Sequence, residues 1–497
     1  MILSFIMEKD DFSVSKKFIV ISLIFTIYKL FLAYQLDLTP DEAYYWEFSR
    51  RLDLSYYDHP PMVGYMIFIS RLIFGDTNFG VRIFSCLTTL LVSYLIYILG
   101  KKLAGENAGL GATFIFQSSA SGMAIGFIMT PDTPLSLFWA LGIILALKVY
   151  QTDRPVWWIL LGATVGAGGL AKYNMIFFGF GVLLVLFSFS DLRNKLLSRN
   201  IVVSLIFVFL FLLPVFIWNA QNDWISFKFQ LNHGFKSTNR AMIHNIGEFI
   251  GGQMATVGPV VFCLSVFYIV SSLLNGYKNR NIFLFSMGGF AFPILVFFFY
   301  SGLNSKVEAN WPQMAYLTGI PLAATYIFQN PISWKRVILC VLPTSFIGIL
   351  ASIHVQTLIL PVRPDYDISS RLHGWQEMGK MIREAVEKLD NPFVIVQGNT
   401  LTSLTGFYGK IDKDRIVEIH LKNNWKFWCR NFSLPIGANA VYIDENNWSC
   451  LNEQIPFFEK KGNASVCEIF YAGKKLRTIN ITPLINHKGG FAPKPQQ

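Results

Sequence analysis

TPDEAYYWEFSRRLDLSYYDHPPMVGYM, Thr39 to Met66, is the stretch on which the reading of this chain turns. It is crowded with Asp, Tyr, Trp and His, yet it lies between two apolar runs, residues 17–36 and 80–100, each near the ~20 residues that cross a bilayer. A polar, aromatic loop held between two such runs faces one side of a membrane. Its Thr-Pro-Asp returns at Thr130 to Asp132, again at the head of an apolar run.

The composition agrees with this. At 497 residues, 53% hydrophobic, 16% aromatic and 15% charged, with a mean hydropathy of +0.42, the chain is too apolar for a soluble globule. The net charge of +11 is not a nucleic-acid footprint, because the Lys and Arg residues sit in short clusters between apolar runs. Runs of spanning character lie near 17–36, 80–100, 107–128, 133–151, 156–171, 174–190, 200–218, 247–273, 281–300, 313–328 and 335–353, predicting about 11 spans.

Positive charge orients them. Lys16 and Lys17 precede the first run, and alternate loops carry Lys101 with Lys102, Arg154, Arg193 with Lys195 and Arg199, Lys278 with Arg280, and Lys335 with Arg336, so these loops face the cytoplasm. The first outer loop, residues 37–79, and everything after about residue 355 then face outward. Residues 1–355 read as a transmembrane catalytic domain and 356–497 as a small α/β domain. In the latter, FVIVQG and AVYID look like strands, and GWQEMGKMIREAVEKL puts Trp375, Met378, Ile382, Val386 and Leu389 on one helix face. The last dozen residues, NHKGGFAPKPQQ, read as disordered. An oxidising compartment permits one disulfide among Cys429, Cys450 and Cys467. Neither CxxC nor Cys/His metal spacing occurs, so no metal or other cofactor is expected.

Within the opening stretch, Thr39 as N-cap, Pro40 at the first helical position and Glu42 three residues after the cap form a capping box. Thr130-Pro131-Asp132 repeats the device without the Glu. Capping leaves Asp41 and Asp132 as ordinary first-turn acids, and it does not account for the residues beyond Glu42. Tyr44, Tyr45, Trp46 and Phe48 suit a short helix in the headgroup layer. Tyr57, Asp58 and His59 stop at Pro60-Pro61, which blocks helix continuation. Lys172 ends an apolar span in GLAKYN, where a cation is costly unless it meets an anion or reaches the headgroups. Lys29 and Glu248, the other charges near or within spans, read as cavity wall or interfacial.

DEAYYW at 41–46, DHPP at 58–61, TPDTPL at 130–135, GLAKYN at 169–174, WNAQNDW at 218–224, KVEANWP at 306–312 and HGWQEMG at 373–379 together resemble the family-39-like polyprenyl-phosphate-sugar glycosyltransferases of the GT-C superfamily. That group includes bacterial enzymes that add aminoarabinose or galacturonate to lipid A. The resemblance implies an α-helical polytopic membrane protein of the bacterial inner membrane with its site facing the periplasm. It also implies a polyprenyl-phosphate-linked sugar donor, and a glycolipid, glycan or protein acceptor. The chain has no soluble Rossmann-like block with a phosphate-binding glycine fingerprint, which fits a lipid-linked donor. The glycines of GATVGAGGLAKY read instead as close helix packing.

Displacement at an anomeric carbon needs the acceptor oxygen deprotonated or oriented, and the leaving phosphate stabilised by positive charge. Asp41 and Asp132 are the catalytic candidates. Glu42, Tyr44, Tyr57, Asp58, His59, Lys172, Tyr173, His233 and Lys306 are the substrate-binding candidates, with Lys172 foremost for the phosphate. Relatives often carry Lys at the position of His59, and a His there makes donor binding depend on pH near neutrality. The alternatives are a lipid-linked-sugar flippase or transporter, which predicts repeats and mid-depth polar groups, a protein O-glycosyltransferase, and an O-antigen ligase or polymerase, whose large loop should come late in the chain.

Overall fold

The computed structural model describes residues 13–235, 240–445 and 449–493, without the side chains of 233–235. It divides into two compact units: Met1–Leu32, His59–Val63 and Ile83–Ser352 form the first, and Ala33–Asp58, Gly64–Arg82 and Ile353–Gln497 the second.

The first unit is helical. Among the described residues, seven helices are long and apolar enough to cross a membrane: Lys16–Gln35, Asn78–Ala104, Asp132–Thr152, Arg199–Gln221, Pro259–Lys278, Ile282–Asn304 and Trp334–Thr357. An eighth span arises if Met175–Ser188 and Ser190–Leu197, bent by 119° at their junction, count as one. The chain is a multi-pass helical membrane protein, with fewer full-length spans than the eleven apolar runs. Hydropathy registers apolar residues but not the backbone breaks between them. The run at 107–128 is interrupted at Ser119, whose extended backbone ends one helix while its Oγ accepts from Gly122 N (3.1 Å) to cap the next. The run at 247–273 breaks at Gly258, φ +88°, ahead of Pro259.

Small residues let these helices approach. A Cβ on Gly162 of helix Pro155–Ala171 would stand 2.2 Å from the Ser204 carbonyl oxygen of Arg199–Gln221, and one on Gly166 would stand 2.6 Å from Phe211 Cβ. The glycines of GATVGAGGL therefore serve helix packing, as their place within a span suggests. The opposite surface of Arg199–Gln221 exposes Val202, Leu205, Ile206, Phe209 and Leu210, an apolar face suited to lipid. Lys29 departs from expectation. It is not interfacial but 1% exposed, donating through Nζ to Gln117, whose Nε2 in turn donates to Ser93 Oγ at 2.6 Å. Helix packing, rather than distance from the end of the span, decides its surroundings.

The second unit is built on a mixed six-stranded sheet: β1 Phe393–Val396, β2 Ile416–Glu418, β3 Ala440–Glu445, β4 Phe458–Lys461, β5 Ser465–Tyr471 and β6 Lys474–His487. Its order is β2-β1-β3-β6-β4, with β5 also on β6; β2, β1 and β3 are parallel, and β6 is antiparallel to β3, β4 and β5. Val394, Ile395, Val396, Val441, Ile443, Ile479 and Ile481 are fully buried in it. Helix Trp375–Glu387 buries Trp375, Met378 and Ile382, much as its periodicity predicts. The tail is more ordered than its composition implies. His487 pairs with Phe458 across β4 and β6, and Phe491 is 5% exposed, its backbone N–H donating to His487 Nε2. Residues 494–497 lie outside the described set.

Helix Pro40–Arg50 also belongs to this unit, and its aromatic residues do not face a headgroup layer. Tyr44, Tyr45, Trp46 and Phe48 are all buried. Phe48 stacks on Tyr56 (3.8 Å between centroids) and Trp46 meets Phe407 edge-on (5.0 Å). The rings that suggested lipid contact are protein core, because the helix packs against Asn399–Gly409 of the same unit.

Candidate functional site

In the first unit, Asp132 opens helix Asp132–Thr152 and Lys172 closes helix Pro155–Ala171 as its C-cap, its N–H donating to the Gly168 carbonyl. An anion at a helix N-terminus and a cation at a helix C-terminus each suit the local dipole. Their charges also meet. Lys172 Nζ donates to Asp132 Oδ1 at 2.8 Å, and Asn310 Nδ2 donates to Asp132 Oδ2 at 2.7 Å. Asp132 is 4% and Lys172 9% exposed, so the pair is held out of bulk solvent.

The second Thr-Pro-Asp is therefore not a repeat of the first. The residue ahead of the helix is Pro131, with no side-chain cap, and Thr130 contributes only its carbonyl, to Thr133 N. Asp132 is directed to side chains far along the sequence instead. Tyr173 pairs its hydroxyl with Ser226 Oγ at 2.8 Å, while Lys306 forms a half-exposed pair with Glu308 at 3.0 Å. His233 lies on helix Ile225–Phe235, and its side chain is outside the described set.

In the second unit the capping box forms as its spacing predicts: Thr39 Oγ1 accepts from Glu42 N at 3.2 Å and Thr39 N donates to Glu42 Oε2 at 2.9 Å. Glu42 is also fully buried against Arg82, whose Nε and Nη2 reach its two oxygens at 2.7 and 2.6 Å. Arg82 also donates through Nη1 to the Leu36 carbonyl and through Nη2 to the Asp37 carbonyl, and the Asp37 carboxylate accepts from Trp375 N and Gln376 Nε2, both at 2.8 Å. Glu42 thus fastens the loop from inside. Asp41, one residue earlier, is exposed in the first helical turn.

Tyr44 and Asp58 come together. The Tyr44 hydroxyl donates to Asp58 Oδ1 at 3.1 Å and accepts from Asn424 Nδ2 at 2.6 Å; Asn424 Nδ2 also reaches Asp58 Oδ1 at 3.1 Å. Burial pushes the Asp58 carboxyl up to about 7, against the pull of the Tyr44 and Asn424 hydrogen bonds, and the nearby charge of Asp41 adds to the rise. Tyr57 donates its N–H to Asn424 Oδ1 at 2.8 Å. His59, next in the chain, is half-buried.

Asn310, Arg82 and Asn424 escape sequence reasoning. Asn310 stands within KVEANWP, and Arg82 is a lone cation at the head of an apolar run, so each left a trace; Asn424 left none. Among the described residues, no group of three or more His, Cys, Asp or Glu side chains is placed to hold a metal ion. All six cysteines are free thiols.

Residues 58–218 match the family described as dolichyl-phosphate-mannose-protein mannosyltransferase, PMT_2. The lipid A galacturonosyltransferase RgtD of Rhizobium johnstonii is 24% identical over 330 residues, 65% of this chain and 68% of RgtD. The undecaprenyl phosphate-alpha-4-amino-4-deoxy-L-arabinose arabinosyl transferase 2 of Proteus mirabilis is 33% identical over 178 residues, 31% of each chain. In fold, the chain is similar to ArnT from Cupriavidus metallidurans bound to undecaprenyl phosphate, with a TM-score of 0.66 at 16% identity over 94% of this chain and 98% of ArnT. Residues 58–218 thus resemble the PMT_2 family, and the likeness to ArnT, which runs nearly end to end, shows that the two share a fold.

Proposed function

We propose that the chain transfers a sugar from a polyprenyl-phosphate carrier to an envelope acceptor of the lipid A class, at the outer face of a bacterial inner membrane. The observation that carries this reading is the secluded Asp132–Lys172 pair, an ammonium fixed by a carboxylate at the mouth of two helices. The names of the relatives supply the classes: RgtD acts on lipid A, and ArnT binds undecaprenyl phosphate.

In the reaction, an acceptor oxygen bonds to the anomeric carbon while the bond from that carbon to the phosphate oxygen breaks, and the polyprenyl phosphate leaves with the electron pair. Lys172 is assigned to that phosphate, with Asp132, itself held by Asn310, fixing the ammonium in place. Lys306, solvated beside Glu308, is the weaker candidate. His59, Tyr57 and Asp58 are assigned to the donor side. Asp41 takes the acceptor proton if the acceptor is a hydroxyl; if it is a phosphate, no proton moves and Asp41 orients it or stabilises oxocarbenium character.

Purified protein in nanodiscs should turn over undecaprenyl-phosphate-linked aminoarabinose or galacturonate with lipid A as acceptor, followed by mass spectrometry of the glycolipid. Turnover of a nucleotide sugar with no lipid intermediate would sink the donor assignment. The orientation belongs to the same proposal: residues 1–355 as the catalytic membrane part with its loop 37–79 outside, and 356–497 as an outer domain. It is supported by the Lys and Arg clusters of the alternate loops. Reporter fusions should find the loop and the domain on the periplasmic side, and a cytoplasmic signal from either one overturns this orientation.

A further inference from the structure

Asn424 is 1% exposed, and both ends of its side chain are committed to the aromatic loop: Oδ1 to Tyr57 N, Nδ2 to the Tyr44 hydroxyl and to Asp58. Its backbone N–H also reaches the Tyr44 hydroxyl at 3.2 Å. Between 366 and 380 residues of sequence separate these groups, so the contact is a property of the fold and not of a local turn.

The segment that presents Asn424 is itself held. Glu418, fully buried at the end of β2, accepts backbone N–H groups from His420 and Lys422 at 3.0 Å and from Gly398 at 3.3 Å. The backbone turns left-handed at Leu421 (φ 43°), between His420 and Lys422, and again at Asn423 (φ 53°), just beyond them. A leucine in that region carries a conformational cost, which persists only where surrounding bonds over-determine it. Here the Glu418 carboxylate supplies those bonds, and the result is a rigid carrier that delivers one amide to three groups of the loop.

We infer that Asn424, contributed by the C-terminal domain, is a positioning residue that sets Tyr57 and Asp58 in the geometry from which the donor phosphate is bound. The inference rests on the donor-side assignment of this segment. It gives the C-terminal domain a part in the reaction, through a clamp that needs one donor and one acceptor on the same side chain. Asn is the residue type that offers both at this size. The charged and titratable groups around the clamp are Asp58, Asp41, Tyr44 and Tyr57.

Asn424→Asp keeps the shape and the acceptor for Tyr57 N–H but turns the amide that meets Asp58 into a second carboxyl. Two adjacent carboxyls titrate as a pair and share a proton at low pH, restoring the bond, whereas at high pH both are charged and repel. With the full-length protein in nanodiscs and undecaprenyl phosphate as probe, Asn424→Asp should bind about tenfold more weakly than wild type near pH 8 and return toward wild type near pH 6. Asn424→Ala should lose affinity at both. Lys426→Ala, exposed two residues on, should bind as wild type does.

Hydrogen exchange over residues 55–61, compared with wild type at each pH, reads the clamp without any ligand and should follow the same pattern. Wild-type affinity in both Asn424 variants, or a loss in Asn424→Asp that ignores pH, overturns the inference. A wild-type protein that fails to bind undecaprenyl phosphate strikes the donor assignment instead, and the exchange pattern then decides whether the clamp itself exists.

Discussion

Asp41→Asn is expected to lower turnover by about a hundredfold or more at saturating lipid donor, with folded protein and donor affinity retained. The expectation is sharp because the structure relieves Asp41 of its competing role. The cap of helix Pro40–Arg50 is Thr39, and the reciprocal bond comes from Glu42, so the box closes without the Asp41 carboxylate. The Asp41 charge lies near the positive end of the helix dipole, a placement worth about 0.3–1 kcal/mol. Asn is isosteric and leaves the Thr39–Glu42 box in place. Thr39→Ala is the matching control: it removes the cap itself, at a cost of about 1 kcal/mol, and should leave turnover per folded molecule close to wild type. The charge of Asp41 also helps raise the Asp58 carboxyl, so its removal should bring Asp58 down and move the acidic limb of the pH profile to lower pH. A variant with wild-type turnover would return the carboxylate to the helix and send the search for the acceptor-side acid elsewhere.

The capping box could be read from the sequence because it is local: three residues of separation fix which atoms meet. The packing role of the GATVGAGGL glycines was legible for a similar reason, since small residues clustered within one span mark a close helix approach. The membrane class came through in the composition, which sums over the chain and tolerates local error. What the sequence could not show was pairing over distance. Lys172 stood out as a costly cation and Asp132 through the second Thr-Pro-Asp, yet nothing in their spacing says that they bond to one another, or that Asn310, 178 residues from Asp132, takes the second oxygen. Glu42 is a substrate-binding candidate in the sequence, and only the fold shows that Arg82, forty residues away, reaches both its oxygens. Lys29 and the aromatic residues of Pro40–Arg50 are misjudged from sequence because an amphipathic or apolar segment packs equally well against lipid or protein. Only the tertiary partner, Gln117 for the one and Phe407 for the others, decides between them.

The Asp132–Lys172 pair yields the other large effect, and the double substitution is what interprets it. With side chains 6% and 11% exposed, the pair is desolvated enough that deleting either partner leaves an uncompensated charge, at a cost of about 3–5 kcal/mol. Asp132→Ala should therefore lower both thermal stability and turnover, as should Lys172→Ala, with Asn310 the remaining polar partner for Asp132 in the latter. Loss of activity in the single variants alone would not distinguish a catalytic cation from a structural bridge. Removing both charges at once relieves the stranded one, so the Asp132→Ala/Lys172→Ala protein should regain much of its stability, and the two single costs should fail to add. If Lys172 meets the leaving phosphate, turnover must stay low in that double variant although the protein is stable again, because the transition-state charge has lost its counter-ion. If stability and turnover recover together, the pair is a bridge between two helices and the phosphate is held by other cations. Thermal midpoints and single-turnover rates on the four proteins of the cycle separate the two outcomes, and a set of variants in which neither quantity moves would remove the pair from the mechanism altogether.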